Sequence, residues 1–319
     1  MSAGAIIDNG LRLYRNNLLP MLFFSLVIGG LLSLGIELIA AFSSPDPINA
    51  LSYGDLWGII ARSATIDSAS YDANMNAINS MYGMETNRML LSAALAVFVT
   101  PFVQGGVTNI AASAAHGYRS SPADWLKRTG RYYGKLALTG LIAALTAIVV
   151  AVVIIIVFSI MLTAILFSVS MGVLLSNPGV ADVWGLIILI FVLLAVFGFA
   201  AFIALGWLGL IYPVAACEGV FHFRALGRAF TLFFRGMFKS ARAYVAAFLM
   251  VYLLEFVLDA LFMQLVLMFG LPWLIYTVFT VVLSSLLEPI MLCSLLMLYL
   301  DIRVRRDGYD LLLLARGLA

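Results

Sequence analysis

Long apolar runs dominate this sequence and constrain its fold more than any other feature does. A helix needs about 20 apolar residues to cross a hydrocarbon layer about 30 Å thick. Only 11% of the 319 residues are charged, whereas a typical soluble domain has roughly 25%. The sequence therefore predicts one all-α, polytopic membrane domain over residues 1–319 with about six transmembrane helices. The predicted spans are 18–42, 89–114, 136–171, 183–212, 244–270 and 273–300.

Lysine and arginine are distributed unevenly among the segments between these runs. All 18 basic residues except Arg62 and Arg88 fall in the N-terminal segment, in the loops after the second and fourth runs, or in the C-terminal tail. Loops rich in lysine and arginine stay on the cytoplasmic side of a membrane. The pattern predicts that both termini are cytoplasmic and that residues 43–88 form an outer loop.

A basic, amphipathic segment precedes each odd-numbered run, at residues 6–17, 121–135 and 223–241. In the second segment, Ser121, Pro122 and Asp124 have the composition of a helix N-terminus. Basic helices with one apolar face lie in the membrane interface. We therefore expect three cytoplasmic interfacial helices. One interpretation is an internal repeat, with three copies of an interfacial helix followed by a transmembrane hairpin. The alternative is that these are the basic segments that any membrane protein carries before spans anchored on the cytoplasmic side.

Polar side chains within the apolar runs are the candidates for chemistry, because charge is costly at membrane depth. Gln104, Glu255, Asp259 and Glu288 lie about 15–22 Å from the basic ends of their runs, at 1.5 Å per residue. Glu255 and Asp259 are one helical turn apart and so share a helix face. These four residues form a candidate proton or cation site, with the alternative that each acid is protonated and hydrogen-bonded within the bundle.

Two prolines belong to the same hypothesis, whereas one further acid is assigned to the membrane interface. Pro101 and Pro289 lie near the depth of the acids, and a proline inside a helix frees the carbonyl four residues earlier. Interrupted helices at mid-depth are common in transporters. Glu37 lies near the outer end of the first run, and we expect its side chain to reach the interface.

The remaining sequence excludes several functional classes. No phosphate-binding loop, zinc pattern or nucleophile motif is present, so the sequence predicts no catalytic residue, metal or cofactor. Cys217 and Cys293 are predicted to be small packing residues.

The basic segments adjoin membrane spans, so we expect anionic lipid headgroups or a partner protein, and no nucleic acid, as their counterpart. The predicted contact residues are Arg128, Arg228, Arg235, Lys239, Arg303, Arg305 and Arg306.

Four stretches carry a resemblance to a known family: Ile7–Pro20, Gly105–Ala111, Glu218–Arg235 and Leu298–Leu311. They resemble the bacterial glycerophosphoryl diester phosphodiesterase membrane domain family, and Leu298–Leu311 is the most specific match. In some members of that family a phosphodiesterase domain follows the membrane part. The His-Arg pair and Glu-x-Asp motif of such a domain do not occur here. The resemblance implies a stand-alone membrane domain in a bacterial plasma membrane.

Two functional hypotheses follow. The first is a non-enzymatic membrane domain that binds lipid or a partner protein through its basic amphipathic helices. The alternative is a secondary transporter or permease subunit that uses the acids at mid-depth. An intramembrane enzyme is disfavoured because no nucleophile–base pair or metal-ligand set is recognisable.

Overall fold

Helices make up nearly all of the described chain in a computed structural model, and no strand occurs in that part. This confirms the all-α prediction. The predicted outer loop 43–88 and the C-terminal residues 308–319 lie outside the described residues. The described residues are 1–42, 90–94, 97–117, 122–175, 188, 192–193, 196–199, 201–203, 205–269 and 273–307.

Among the described residues, five helices are long and apolar enough to cross a membrane. They correspond to the first, third, fourth, fifth and sixth predicted spans, so the chain is a multi-pass membrane protein. Residues 95 and 96 of the second predicted span lie outside the description, so a sixth crossing stays a prediction. The five helices are Leu18–Ile39, Asp124–Ala164, Val196–Glu218, Ser240–Val266 and Leu274–Arg305.

The described helices are numbered here in chain order. The first half contains α1 (Ala3–Asn16), α2 (Leu18–Leu22), a π-helix (Phe23–Gly30), α3 (Leu31–Phe42), α4 (Thr100–Ala115) and α5 (Pro122–Leu175). The second half contains a 3₁₀ turn (Trp207–Leu210), α6 (Ile211–Glu218), α7 (His222–Arg235), α8 (Met237–Phe269) and α9 (Trp273–Asp307).

The three expected interfacial helices have different outcomes. The first and third segments form the separate helices α1 and α7. The second does not form a separate helix, because residues 122–135 are the first turns of α5. That helix continues over 54 residues, a length of about 81 Å at 1.5 Å per residue. No proline follows Pro122 within α5, so nothing in the sequence removes a helical donor where the basic segment meets the apolar run.

Helix α1 packs closely along α9. A Cβ atom added at Gly10 would lie 2.7 Å from the Ser294 hydroxyl oxygen and 3.0 Å from the Ser294 backbone, so only glycine allows this approach. The Tyr14 hydroxyl donates to the Leu286 carbonyl at 3.0 Å, and burial raises the pKa of Tyr14 above its ordinary value. The N-terminal helix is therefore an integral part of the bundle as well as amphipathic.

The core lies where the π-helix, α4 and α9 meet. Phe24 and Met21 are fully buried, and a Cβ added at Gly106 would lie 2.3 Å from the Phe24 ring. The Cys293 thiol packs against the Met21 sulfur at 3.7 Å. Both cysteines are free thiols.

Candidate functional site: a polar cleft at membrane depth

A polar stripe runs along α9, one of the helices predicted to span the membrane. Tyr276, Thr280, Ser284 and Glu288 occur at intervals of four residues, so they lie on one helix face. Glu288 follows Tyr276 by 12 positions, so the stripe extends over about 18 Å. Each of these side chains carries a hydroxyl or carboxyl group, so the stripe is a continuous series of hydrogen-bonding groups.

The two acids of α8 pair with hydroxyls of this stripe. The Tyr276 hydroxyl donates to Asp259 Oδ2 at 2.8 Å, and the Ser284 hydroxyl donates to Glu255 Oε1. Asp259 Oδ1 is buried and accepts no hydrogen bond from any described residue. Glu255 and Asp259 lie on one helix face, as predicted, and both carboxylates are hydrogen-bonded to α9.

The third acid pairs with the predicted amide. Gln104 of α4 donates its Nε2 proton to Glu288 Oε1 at 2.8 Å. The four predicted site residues are therefore brought to the same stripe, but as successive pairs and not as one cage. Among the described residues, no group of three or more His, Cys, Asp or Glu side chains is placed to hold a metal ion.

A cleft of about 310 Å³ opens beside Glu288, between the π-helix, α3, α4 and α9. We call it the polar cleft. Two carboxylates, from Glu37 and Glu288, line it together with six hydroxyl side chains. The hydroxyl residues are Ser25, Ser33, Thr100, Thr280, Ser284 and Ser285.

Sequence reasoning separated Glu37 from the other acids, whereas the structure places it on the same cleft as Glu288. The π-helix changes the rotation of the first span before α3 and also brings Ser25 to the cleft. The Ser25 hydroxyl is buried and has no hydrogen-bond partner within the described part of the chain. Short π-helical stretches occur often at functional sites. The pair Gly29–Gly30 was the one local signal for an irregular helix here.

A break in the helix before α4 also shapes the cleft. Val99 lies outside regular helix, and its carbonyl accepts from the amides of Phe102 and Val103 at 2.9 and 3.0 Å. Pro101 falls in the first turn of α4, where the missing N–H is tolerated. The expected interruption in the second predicted span is present, but Pro101 starts a helix there and does not kink one. Pro289 lies inside α9 as expected.

A second cavity, of about 210 Å³, lies toward the basic ends of the helices. We call it the basic pocket. Arg128, Lys135 and Asn109 line it, and the Lys135 ammonium lies 5.7 Å from the ring centroid of Phe221. A cation over an aromatic face is stabilised by the ring quadrupole. The predicted contact residue Arg128 thus lines a pocket, and its side chain is exposed.

Helix α4 contributes residues to both cavities, and its Gln104 donates to Glu288, which lines the polar cleft. Along α4, Thr100 and Val103 line the polar cleft, and Gly105 and Asn109 line the basic pocket. Gln104 lies between these two pairs. Consecutive helix residues are rotated by about 100°, so Val103 and Gly105 lie on nearly opposite faces of α4, and this helix separates the two cavities. Tyr212 of α6 lines the basic pocket and lies within electrostatic range of Glu288.

Two other predicted contact residues belong to an internal network at the basic end. Arg228 Nε lies 3.2 Å from both carboxylate oxygens of Glu218, and Arg303 Nε lies 3.7 Å from Glu218 Oε1. The Tyr299 hydroxyl donates to the same oxygen at 2.9 Å. The side chains of Glu218 and Arg303 are each only 14% exposed. This network joins α6, α7 and α9, so Arg228 and Arg303 stabilise the fold.

The other predicted contacts have separate positions. Arg305 pairs with Asp301 at 3.1 Å, and Arg235 is exposed at the end of α7. Arg235 and Arg305 both line a third cavity at the basic end. The side chains of Lys239 and Arg306 lie outside the described part of the structure.

Fold and site together define an all-α, multi-pass membrane protein with a hydrogen-bonded acidic stripe at membrane depth. Comparisons with family models, curated proteins and solved structures find no match to this chain. The resemblance to the glycerophosphoryl diester phosphodiesterase membrane domain family therefore stays a prediction from its motifs. The two cavities and the acidic stripe are the features of the described residues that bear on function.

Proposed function

We propose that the chain is a secondary transporter or permease subunit that moves a proton between the polar cleft and the basic pocket through Glu288. One observation carries this proposal: Glu288, which lines the polar cleft, accepts a hydrogen bond from Gln104 of α4, the helix that contributes residues to both cavities. A carrier needs a binding group that can be reached from either side of a thin barrier. Glu288 is our candidate for this group because it lines the polar cleft and is hydrogen-bonded to Gln104 of α4, which also borders the basic pocket.

The electrostatics of the site favour a proton as the transported ion. No described Lys or Arg side chain contacts Glu255, Asp259 or Glu288, so an ionised carboxylate here would be costly. Taking up a proton removes this cost, and losing it to water in either cavity restores the charge. A carboxyl group that alternates between two wet cavities therefore exchanges protons with both.

The α9 stripe gives the proton a route beyond Glu288. Hydroxyl groups both donate and accept hydrogen bonds, so Ser284 and Tyr276 are each able to exchange a proton with the carboxylate that they contact. Ser284 connects to Glu255, and Tyr276 connects to Asp259. These two hydroxyl–carboxylate pairs follow Glu288 along the stripe, away from the basic pocket.

A lipid- or partner-binding domain is the second candidate function. Phe223 and Phe238 are 72% and 82% exposed at the basic end of the bundle. Exposed aromatic residues beside basic ones are typical of membrane interfaces. Two of the predicted contact residues, Arg228 and Arg303, are engaged in ion pairs within the fold, and this lowers the support for a binding surface.

Proton flux into proteoliposomes tests the proposal. The purified chain is reconstituted with a trapped pH-sensitive dye, and a potassium diffusion potential drives proton entry. The parent chain should acidify the lumen faster than protein-free vesicles do, and Glu288→Gln should abolish this proton flux. Asp8→Asn is the matched control, because Asp8 makes only an exposed ion pair with Arg12 at 3.8 Å. Equal flux in the parent and Glu288→Gln proteins would refute the proposal.

A further inference from the structure

The third cavity lies at the basic end, between α1, α7, α8 and α9, and has a volume of about 550 Å³. We call it the arginine cavity, because Arg235, Arg242 and Arg305 line it. Its inner wall is apolar and includes Ile6 and Leu298, both almost fully buried. This volume falls within the range of about 300–1,000 Å³ that small-molecule sites occupy.

The charges of the cavity are unbalanced toward positive. Asp301 is the one carboxylate among the described residues that line it, and Arg305 already pairs with Asp301 at 3.1 Å. Arg235 and Arg242 have no ion-pair partner within the described residues. Arg242 donates from Nε to the Phe238 carbonyl at 3.2 Å, which leaves its terminal nitrogens available to a ligand.

The N-terminus of α8 also borders this cavity. The helix begins at Met237, directly after Gly236, and continues for 33 residues. The first amides of a helix have no intrahelical acceptor, and they carry a partial positive charge that favours anions. Helix N-termini bind phosphate groups in many proteins for this reason.

A buried hydroxyl provides an independent indication of a ligand. Ser240, in the first turn of α8, is 1% exposed, and its Oγ has no hydrogen-bond partner among the described residues. This oxygen lies beside Gly236, 3.4 Å from where a Cβ would be, and Ser240 lines the cavity. Buried polar groups nearly always have a partner, so an acceptor in the cavity would complete this site.

We propose that the arginine cavity binds a phosphate ester. Guanidinium groups match phosphate oxygens with paired hydrogen bonds, and the α8 N-terminus and the Ser240 hydroxyl add further donors. The apolar inner wall and the neighbouring exposed Phe238 suit the glycerol and acyl parts of a phospholipid. The same phosphate chemistry would also accept a soluble phosphate. This site is separate from the polar cleft and does not depend on the proposed proton transport.

Ligand binding to the purified full chain tests the proposal. Two probes are titrated in a neutral detergent: short-chain phosphatidylglycerol, which carries acyl chains, and inorganic phosphate, which does not. Affinity is measured by calorimetry, and monodispersity and helical content are checked for every variant. Short-chain diacylglycerol, which carries the same acyl chains and no phosphate, measures binding through the acyl chains alone.

The matched variants each remove two positive charges. Arg235→Gln with Arg242→Gln removes two arginines of the cavity, whereas Arg131→Gln with Arg224→Gln removes two exposed arginines elsewhere. Loss of a charge-assisted hydrogen bond weakens binding by about tenfold or more. We expect the cavity pair to weaken phosphatidylglycerol binding by at least this factor and the control pair to leave it unchanged. Ser240→Ala, which keeps every charge, should weaken it several-fold.

The outcomes separate the sources of the ligand. Binding of phosphatidylglycerol without inorganic phosphate identifies a lipid headgroup site, and competition between the two probes identifies a site for which the phosphate group alone is enough. Equal losses in the cavity and control pairs would show general electrostatic attraction and overturn the proposal. It would equally be overturned if neither probe bound the parent chain, or if diacylglycerol bound as tightly as phosphatidylglycerol.

Discussion

Replacing Glu218 should destabilise this protein far more than replacing an exposed acid. The Glu218 carboxylate accepts from Tyr299 at 2.9 Å and lies 3.2 Å from Arg228 and 3.7 Å from Arg303. Removing one partner of a mostly buried ion pair costs about 3–5 kcal/mol, because the remaining charge loses its compensation. Arg228 is 30% exposed, so water offsets part of the loss. We therefore expect Glu218→Ala to cost about 3 kcal/mol, at the lower end of that range.

The assay is reversible unfolding in mixed micelles of neutral detergent and sodium dodecyl sulfate, followed by circular dichroism. Asp8→Ala is the control, because its pair with Arg12 is 3.8 Å long and more than half exposed on both sides. Exposed pairs contribute at most about 1 kcal/mol. Glu218→Gln keeps an acceptor for Tyr299 and should fall between the other two variants. A loss of stability in Glu218→Ala as small as in Asp8→Ala would refute the structural role of the network.

Two further predictions concern the core and the barrier between the cavities. Gly106→Ala should cost about 1–3 kcal/mol through overpacking, because the new Cβ would meet the Phe24 ring at 2.3 Å. Gly4→Ala is its control, since nothing lies within 4 Å of that Cβ; equal effects of the two in the same unfolding assay would contradict the packing described here. Gln104→Leu removes the donor to Glu288 and should change the rate of proton flux into proteoliposomes while the protein stays monodisperse. An unchanged rate would mean that this hydrogen bond is not part of the barrier.

The helical part of this fold could be predicted from hydropathy alone. Apolar runs of sufficient length determined the spans because lipid requires every backbone group to be satisfied within the segment. The boundary between interfacial and spanning helix could not be predicted in the same way. Residues 122–135 are basic and amphipathic, as in α1 and α7, yet they continue directly into α5.

The candidate site could be predicted in part. The spacing of Glu255 and Asp259 placed both on one face, and counting residues from the basic ends brought Gln104 and Glu288 to a similar depth. The pairing of Gln104 with Glu288 depends on how α4 packs against α9, which sequence spacing does not specify. Glu37 was left out of the predicted site because it lies near the outer end of the first run; its position on the cleft depends on how α3 packs against α9, which sequence spacing does not specify.

The basic residues show the same limit at the other end of the bundle. A count of Arg and Lys identifies a basic side of the membrane but not the partner of each side chain. Glu218 is adjacent to Gly219, which ends α6 in a left-handed conformation. The resulting turn brings Glu218 to Arg228, ten residues later, and the packing of α9 brings Arg303. Only the folded chain separates these structural arginines from Arg235 and Arg242.

The most direct test of the central claim is to measure from which side of the membrane each cavity can be reached. Thr100→Cys places a thiol on the polar cleft and Asn109→Cys places one on the basic pocket, in a chain whose Cys217 and Cys293 are replaced by alanine. A membrane-impermeant thiol reagent is then applied to one side or the other of sealed, oriented vesicles. The proposed carrier predicts that the two thiols react from opposite sides. Reaction of both thiols from the same side would contradict the proposal that the two cavities open to opposite sides of the membrane.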